Sequence, residues 1–148
     1  MNAVVYFDTS ALAKWYINES RSDDVEEYIQ QHGPVAVSDL TMVEMRCLLS
    51  RRRRDGSLAG DADIRVWAAF NEDVRQKHLI CHPLPDKWAE GAVNLVSMLT
   101  AIPLRTLDAV HLLVAKEIQA EALATADRVM TAAAQAIGFS VASFDAEV

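Results

Sequence analysis

Four carboxylates are set apart by where they fall in the chain: Asp8, Glu44, Asp108 and Asp127. Asp8 follows the apolar run VVYF and opens DTS, so its carboxylate lies where a strand would end and a helix begin. Asp127 closes ALATAD, a small apolar strand leading into RVMTAAAQAI, and occupies the same kind of junction. Helix capping alone is a sufficient reading of either residue, because Asp is a preferred N-cap. Glu44 is different, since residues 42 to 49 are apolar except for Glu44 and Arg46. A carboxylate pressed into an apolar surface needs a cation or a raised pKa, and Arg46 and Arg105 are the structural candidates beside a metal ion. Asp108 falls in the first turn of a helix capped by Thr106, where the helix dipole favours an anion by about 0.3–1 kcal/mol.

Each acid is ordinary by itself, but all four can border one edge of a sheet. Like charges a few ångströms apart cannot all stay ionised without a cation, so their convergence would suit Mg²⁺ or Mn²⁺. A hard divalent ion held by carboxylates keeps several waters and can lower the pKa of one toward neutrality. The bland alternative, caps and surface charges, remains open at this point.

The elements that would carry these acids alternate along the chain. Strands are expected at residues 4–7, 35–38, 79–82, 122–125 and 140–144. Helices are expected at 11–17, at 23–31 before Gly33 and Pro34, at 41–54 and at 59–77. Three more begin at Pro85 and Asp86, after Thr106, and at Asp127. The pattern predicts a single α/β domain with a mostly parallel central sheet of about four to five strands and helices on both faces. Such sheets bind ligands at the carboxyl ends of their strands.

A length of 148 residues suits one domain, and 51% hydrophobic residues supply a core. Lys and Arg number 14 against 21 Asp and Glu, giving 14 − 21 = −7. That charge repels nucleic acid at long range and argues against strong DNA binding by this chain alone. Cys47 and Cys81 have no metal-ligand spacing and read as reduced structural thiols. With no long apolar run and no basic leader, neither a membrane span nor a signal peptide is expected, and the reading is cytoplasmic. Trp15, Tyr16, Trp67 and Trp88 are expected to pack helices together.

The blocks VVYFDTSALAKWYINE, VSDLTMVEMRCLLSRRRRDG, LRTLDAVHLLVAKE and ALATADRVM, in this order, resemble the successive motifs of PIN domains, specifically of VapC-like toxins. The resemblance covers nearly the whole chain, and no acidic position is missing. It implies a PIN-like fold in which Asp8, Glu44, Asp108 and Asp127 hold Mg²⁺ or Mn²⁺. Asp8 and Asp108 are the first candidates for direct ligands, with Glu44 and Asp127 direct or acting through water. The implied activity is endoribonuclease cleavage by metal-activated water, leaving 5′-phosphate and 3′-hydroxyl ends. A cognate VapB-like antitoxin and a homodimer are the implied partners.

For an RNA substrate, Arg105 adjoins the acids and Arg51 to Arg54 is the densest basic stretch, so Arg105, Arg51 and Arg52 are the candidate phosphate contacts. A solvated helix end accounts equally for the basic run. His111 lies one turn past Asp108, although packing or a structural hydrogen bond is its simpler reading. Thr9, Ser10 and Thr125 could orient ligands or merely cap, Glu19 reads as surface charge, and His32, His78 and His82 form no ligand spacing. Two other readings stand beside this one. An aspartyl-phosphate enzyme could use Asp8, but Ser10 stands where a DxD motif needs its second aspartate, and no suitable Lys lies near the last strands. A catalytically inactive antitoxin-binding module would use the acids only as caps.

Overall fold

Val5, Tyr6 and Phe7 are all buried, and their branched and aromatic side chains suit a strand covered on both faces. In the computed structural model, which describes residues 3–146, they form the central strand β1 (Val5–Phe7). There follow α1 (Thr9–Tyr16), α2 (Ser22–His32), β2 (Val35–Ser38), α3 (Asp39–Arg54), α4 (Ala62–Arg75) and β3 (Leu79–His82). The chain continues through α5 (Trp88–Met98), α6 (Thr106–Glu117), β4 (Ala122–Thr125), α7 (Arg128–Ala136) and β5 (Ser140–Ser143).

The five strands form one sheet in the order β3-β2-β1-β4-β5, and every pairing is parallel. Because side chains alternate across a strand, each strand feeds two cores. Val5, Phe7, Val35, Val37 and Leu79 pack with apolar residues of α1 to α4, such as Leu12, Val25, Met45 and Phe70. Tyr6, Ala36 and Leu123 face the other way, toward Leu95 of α5, Leu112 of α6 and Met130 of α7. Burying a Leu or Phe side chain contributes about 1.5–3 kcal/mol, so the two cores fix the sheet's register firmly.

This topology positions the site. From β1 the chain moves outward to β2 and β3, then crosses back to β4 on the other side of β1 and on to β5. The reversal leaves a crevice at the carboxyl ends of β1 and β4. Phe7 pairs with Ala124, and the Asp8 N–H donates to the Ala124 carbonyl at 3.0 Å. Asp8 and Asp127 therefore leave adjacent strands at the same end of the sheet.

Several expected boundaries move. The helix expected at 41–54 begins at Asp39, because Ser38 caps it reciprocally with Thr41. The helix expected at 59–77 contracts to Ala62–Arg75, between Gly60 (φ 62°) and Lys77 (φ 64°), whose left-handed backbones cannot continue a helix. Lys87 at φ 58° likewise delays α5 to Trp88, past the expected start at Pro85 and Asp86. Thr106 is the first helical residue of α6 rather than its cap; extended Arg105 takes that position without a side-chain bond. Cys47 is exposed, because the face of α3 that carries it turns away from the core, so it is no structural core thiol. Trp15, Tyr16 and Trp67 pack against the first core as expected, whereas Trp88 is left exposed at the start of α5.

Candidate metal centre

Asp8 ends β1 and caps α1. Its Oδ1 accepts from the Ala11 N–H at 3.1 Å and from Ser10 Oγ at 2.6 Å, and its Oδ2 accepts from Thr125 Oγ1 at 2.5 Å. Burial raises its pKa above the ordinary value, opposed by charge on His111 and by these hydrogen bonds. Asp127 caps α7 through Oδ1, which accepts from the Val129 N–H at 3.0 Å. Thr125 joins the two acids, since the hydroxyl it donates to Asp8 also accepts from the Asp127 N–H at 3.0 Å.

Asp108 stands in the first turn of α6. Burial first, and then the charge of Asp127, raise its pKa, with Arg105 opposing. The Oδ2 atoms of Asp108 and Asp127 are both buried and, among the described residues, have no hydrogen-bond partner. Arg105 is the nearest cation, its Nε 3.6 Å from Asp108 Oδ2 and its Nη2 3.7 Å from Asp127 Oδ2. Those separations are too long for good hydrogen bonds, and an Arg side chain that is 80% exposed is a weak, screened counter-ion.

Glu44 reaches the same place from α3. Neither expected arginine partners it. Residues two apart point to different sides of a helix, so Arg46 turns to Asp63 and lies over Trp67, while Arg105 serves the two aspartates. Glu44 Oε1 instead accepts from Thr9 Oγ1 at 2.8 Å and from His111 Nε2 at 2.5 Å. Burial would raise the Glu44 pKa, but the hydrogen bond and charge of His111, helped by Thr9, outweigh it and hold the carboxyl below its ordinary value.

All four acids line one cleft of about 470 Å³, together with Thr9, Ser10, Arg51, Arg105 and His111. Among the described residues, no three acidic, His or Cys side chains already converge as a closed cation cage. The donor sets differ: both oxygens of Asp8 accept hydrogen bonds, while Asp127 and Glu44 each have one oxygen anchored. Asp127 gives Oδ1 to its helix and Glu44 gives Oε1 to Thr9 and His111, while Asp108 and Asp127 keep buried oxygens with no partner. Unsatisfied buried carboxylate oxygens are costly, and they fit a hard divalent cation that retains part of its water shell.

The other candidates separate. Arg51 lines the cleft, but Arg52 does not; its Nη2 is 2.8 Å from Glu19 Oε2. Arg53 pairs with buried Asp63. Glu19, read as surface charge, lies in an ion-pair cluster with Lys14 and Arg52. Sequence reasoning placed His111 on the correct side of α6 but missed its bond to Glu44. The available signal was a His within a helix that is otherwise apolar from Ala109 to Ala115.

The sequence matches the PIN domain family over residues 5–147. It is 30% identical over 142 residues to ribonuclease VapC46 of Mycobacterium tuberculosis (strain ATCC 25618 / H37Rv), a match spanning 94% of this chain and 96% of that protein. Among solved structures the fold is similar to Mycobacterium tuberculosis VapC20, described as a sarcin-ricin loop cleaving toxin. The TM-score is 0.68 at 17% identity, over 87% of this chain and 94% of that one. It is also similar to VapBC-5 of the same organism, a member of the VapBC family of toxin-antitoxin systems. There the TM-score is 0.59 at 20% identity, over 97% and 98% of the two chains. At these identities the two structural likenesses speak for fold alone.

Proposed function

This chain belongs to the PIN domain family, and from that premise we propose that it is a metal-dependent endoribonuclease, the toxin of a toxin-antitoxin pair. The observation that carries the reading is the cleft itself: four carboxylates at the switch point of a parallel sheet, two of them with buried, unpartnered oxygens. The 30% identity to a ribonuclease along nearly the full length of both chains supports RNA as the substrate.

Asp8, Asp108, Asp127 and Glu44 would hold Mg²⁺ or Mn²⁺, which supplies an activated water and offsets charge on the phosphoryl oxygens. The chain's own residues do the remaining work. Ser10 and Thr125 orient Asp8, and Thr9 and His111 orient Glu44. Arg51 and Arg105 stand on the cleft wall where they can meet phosphates of a bound strand, a local attraction that a net charge of −7 does not provide.

Two associations belong to the same proposal. Membership of the PIN family, with toxin-antitoxin proteins among the solved structures of similar fold, supports a VapB-like antitoxin as partner, and a homodimer is proposed on the family resemblance alone. No helix among the described residues is long and apolar enough to cross a membrane, and the cytoplasm, where RNA is available, is the proposed location. The aspartyl-phosphate alternative fits less well, because Ser10 stands where that chemistry needs a second aspartate and its hydroxyl is spent on Asp8 Oδ1 and the Ala126 N–H.

The test is digestion of total RNA by purified, antitoxin-free protein, with mapping of the new ends. Cleavage is expected with Mg²⁺ or Mn²⁺, to stop in chelator, and to leave 5′-phosphates. Cleavage that persists in excess chelator with cyclic phosphate ends would refute the metal-hydroxide mechanism.

A further inference from the structure

Behind Glu44, a line of buried polar side chains runs from the sheet interior to the cleft. Tyr6, fully buried on β1, donates its hydroxyl to Ser38 Oγ at 2.9 Å and lies 2.6 Å from His111 Nδ1. The other ring nitrogen of His111, Nε2, meets Glu44 Oε1. His111 is 3% exposed and Tyr6 0%, so both sit where Leu and Phe would fill the space without any polar group to satisfy. Burying a hydroxyl and an imidazole is tolerated only when every bond is made, and here the bonds are made end to end.

We propose that Tyr6 and His111 form a positioning device for Glu44, fixing which of its two oxygens faces the cleft; the inference rests on the metal-dependent reading above. A carboxylate has no proton to give, so Nε2 donates to Oε1. Thr9 Oγ1 donates to that same oxygen. Oε1 is thus occupied twice, while among the described residues Oε2 receives no hydrogen bond and is the oxygen left to a cation or its water. The imidazole ring cannot turn, because it is held at both nitrogens and tilts against the Tyr6 ring with centroids 5.7 Å apart.

The same three side chains also tie together the elements that carry the acids. Tyr6 lies two residues before Asp8 on β1, His111 three residues after Asp108 on α6, and Glu44 on α3. Ser38, at the far end of the line, makes the capping box of α3. A shift of any one element must break a bond in the line. The spacing of Asp8, Asp108 and Glu44 is therefore held from behind, on the side away from substrate. Neither Tyr6 nor Ser38 lines the cleft, so neither can touch RNA there.

The experiment compares His111→Ala, His111→Gln and Tyr6→Phe with the parent. Mn²⁺ affinity is read by calorimetry without RNA, and kcat and KM on one RNA substrate are read separately. Residues that orient a metal ligand typically contribute about 10–100-fold in metal affinity or rate. His111→Ala should weaken Mn²⁺ binding and lower kcat by about that range, with KM within about twofold of the parent. Gln carries an N–H near the position of Nε2, so His111→Gln should recover most of both losses. Tyr6→Phe keeps the packed ring and removes only the hydroxyl, so it should move both readouts the same way by a smaller factor. It carries the test if His111→Ala does not fold. A parent that binds Mn²⁺ and cuts RNA, with folded variants matching it in both readouts, overturns the positioning role alone. A rise in KM with unchanged Mn²⁺ affinity overturns it too, by making His111 an RNA contact. A parent that neither binds Mn²⁺ nor cuts overturns the functional reading, and the positioning role with it.

Discussion

Replacing Asp108 with Asn separates a metal ligand from a residue kept for its helix turn, because Asn preserves the shape and removes the charge. In metal-free protein Asp108 faces Asp127 across buried oxygens that no hydrogen bond satisfies, with only exposed Arg105 between them. Like charges a few ångströms apart at an effective dielectric of about 20 repel by on the order of a few kcal/mol. Arg105 offsets part of this, leaving a gain of about 1 kcal/mol for Asp108→Asn, or roughly 2–4 °C in Tm for a domain of this size. The sign follows from the raised pKa of Asp108: its ionisation opposes folding. The variant's advantage should be present at neutral pH and fade as pH falls through that raised pKa, where the parent's carboxyl becomes neutral as well. Mg²⁺ reverses the order. At 100 times its dissociation constant it stabilises the parent by about 2.7 kcal/mol, roughly 5–10 °C, and the variant by less. Thermal melts across a Mg²⁺ titration, with and without chelator and repeated over a pH series, read all three effects. Equal Mg²⁺-induced shifts in parent and variant, with RNA cleavage retained, would remove Asp108 from the site.

Arg51→Ala should weaken RNA binding and reduce the slope of log affinity against log salt by about one, whereas Arg52→Ala should leave the slope unchanged because its guanidinium is held by Glu19. Filter binding over a salt series distinguishes them, and equal slopes for parent and Arg51→Ala would return Arg51 to a solvated helix end. Asp127→Ser keeps an N-cap oxygen and discards the second carboxylate oxygen, so it should abolish cleavage at nearly parental stability. Asp127→Ala should lose cleavage and also about 1 kcal/mol in urea denaturation. Thr125→Val conserves volume but removes the hydroxyl that donates to Asp8 and accepts from the Asp127 N–H. A loss of about 1–3 kcal/mol in stability, together with a rate lowered about 10–100-fold, is expected from melts and initial rates.

The central strands β1, β2 and β4 were legible because each is a mostly apolar run of three or four residues buried by the layers around it, whereas the edge strands β3 and β5 are only partly buried; all five lie within one residue of their expected ends. The helix bounds were less so. Lys77 and Lys87 adopt left-handed backbones that lysine does not advertise, so α4 and α5 are shorter than their polar and apolar patterns suggest. At the site, Asp8 and Asp127 were readable as junction residues from local sequence. The partner of Glu44 was not, because His111 is 67 positions away and only the packing of α3 against α6 brings them together. The arginine run misled for a related reason. Successive residues of a helix fan out around it, and only Arg51 shares the face of Glu44, Cys47 and Leu48 that lines the cleft. Its neighbours Arg52 and Arg53 are taken by Glu19 and Asp63.

For Asp8 and Asp127, helix capping and the proposed metal ligation are not exclusive roles. A strand that ends and turns straight into a helix places its junction residue at the helix N-terminus, where backbone N–H groups point at the side chain and the dipole favours an anion. Capping takes one oxygen of Asp127, and the local geometry that secures that oxygen aims the other into the crevice. Asp8 and Asp127 stand at the N-termini of α1 and α7, and Asp108 in the first turn of α6, so three helix ends face the cleft. Their partial positive charges, with His111 behind Glu44 and Arg105 over the two aspartates, explain how four acids can share the cleft before any cation arrives. The compensation is incomplete, as the two unpartnered oxygens record. That shortfall in positive charge is what a divalent ion would supply, and it lies beside Arg105, where a phosphate would have to approach.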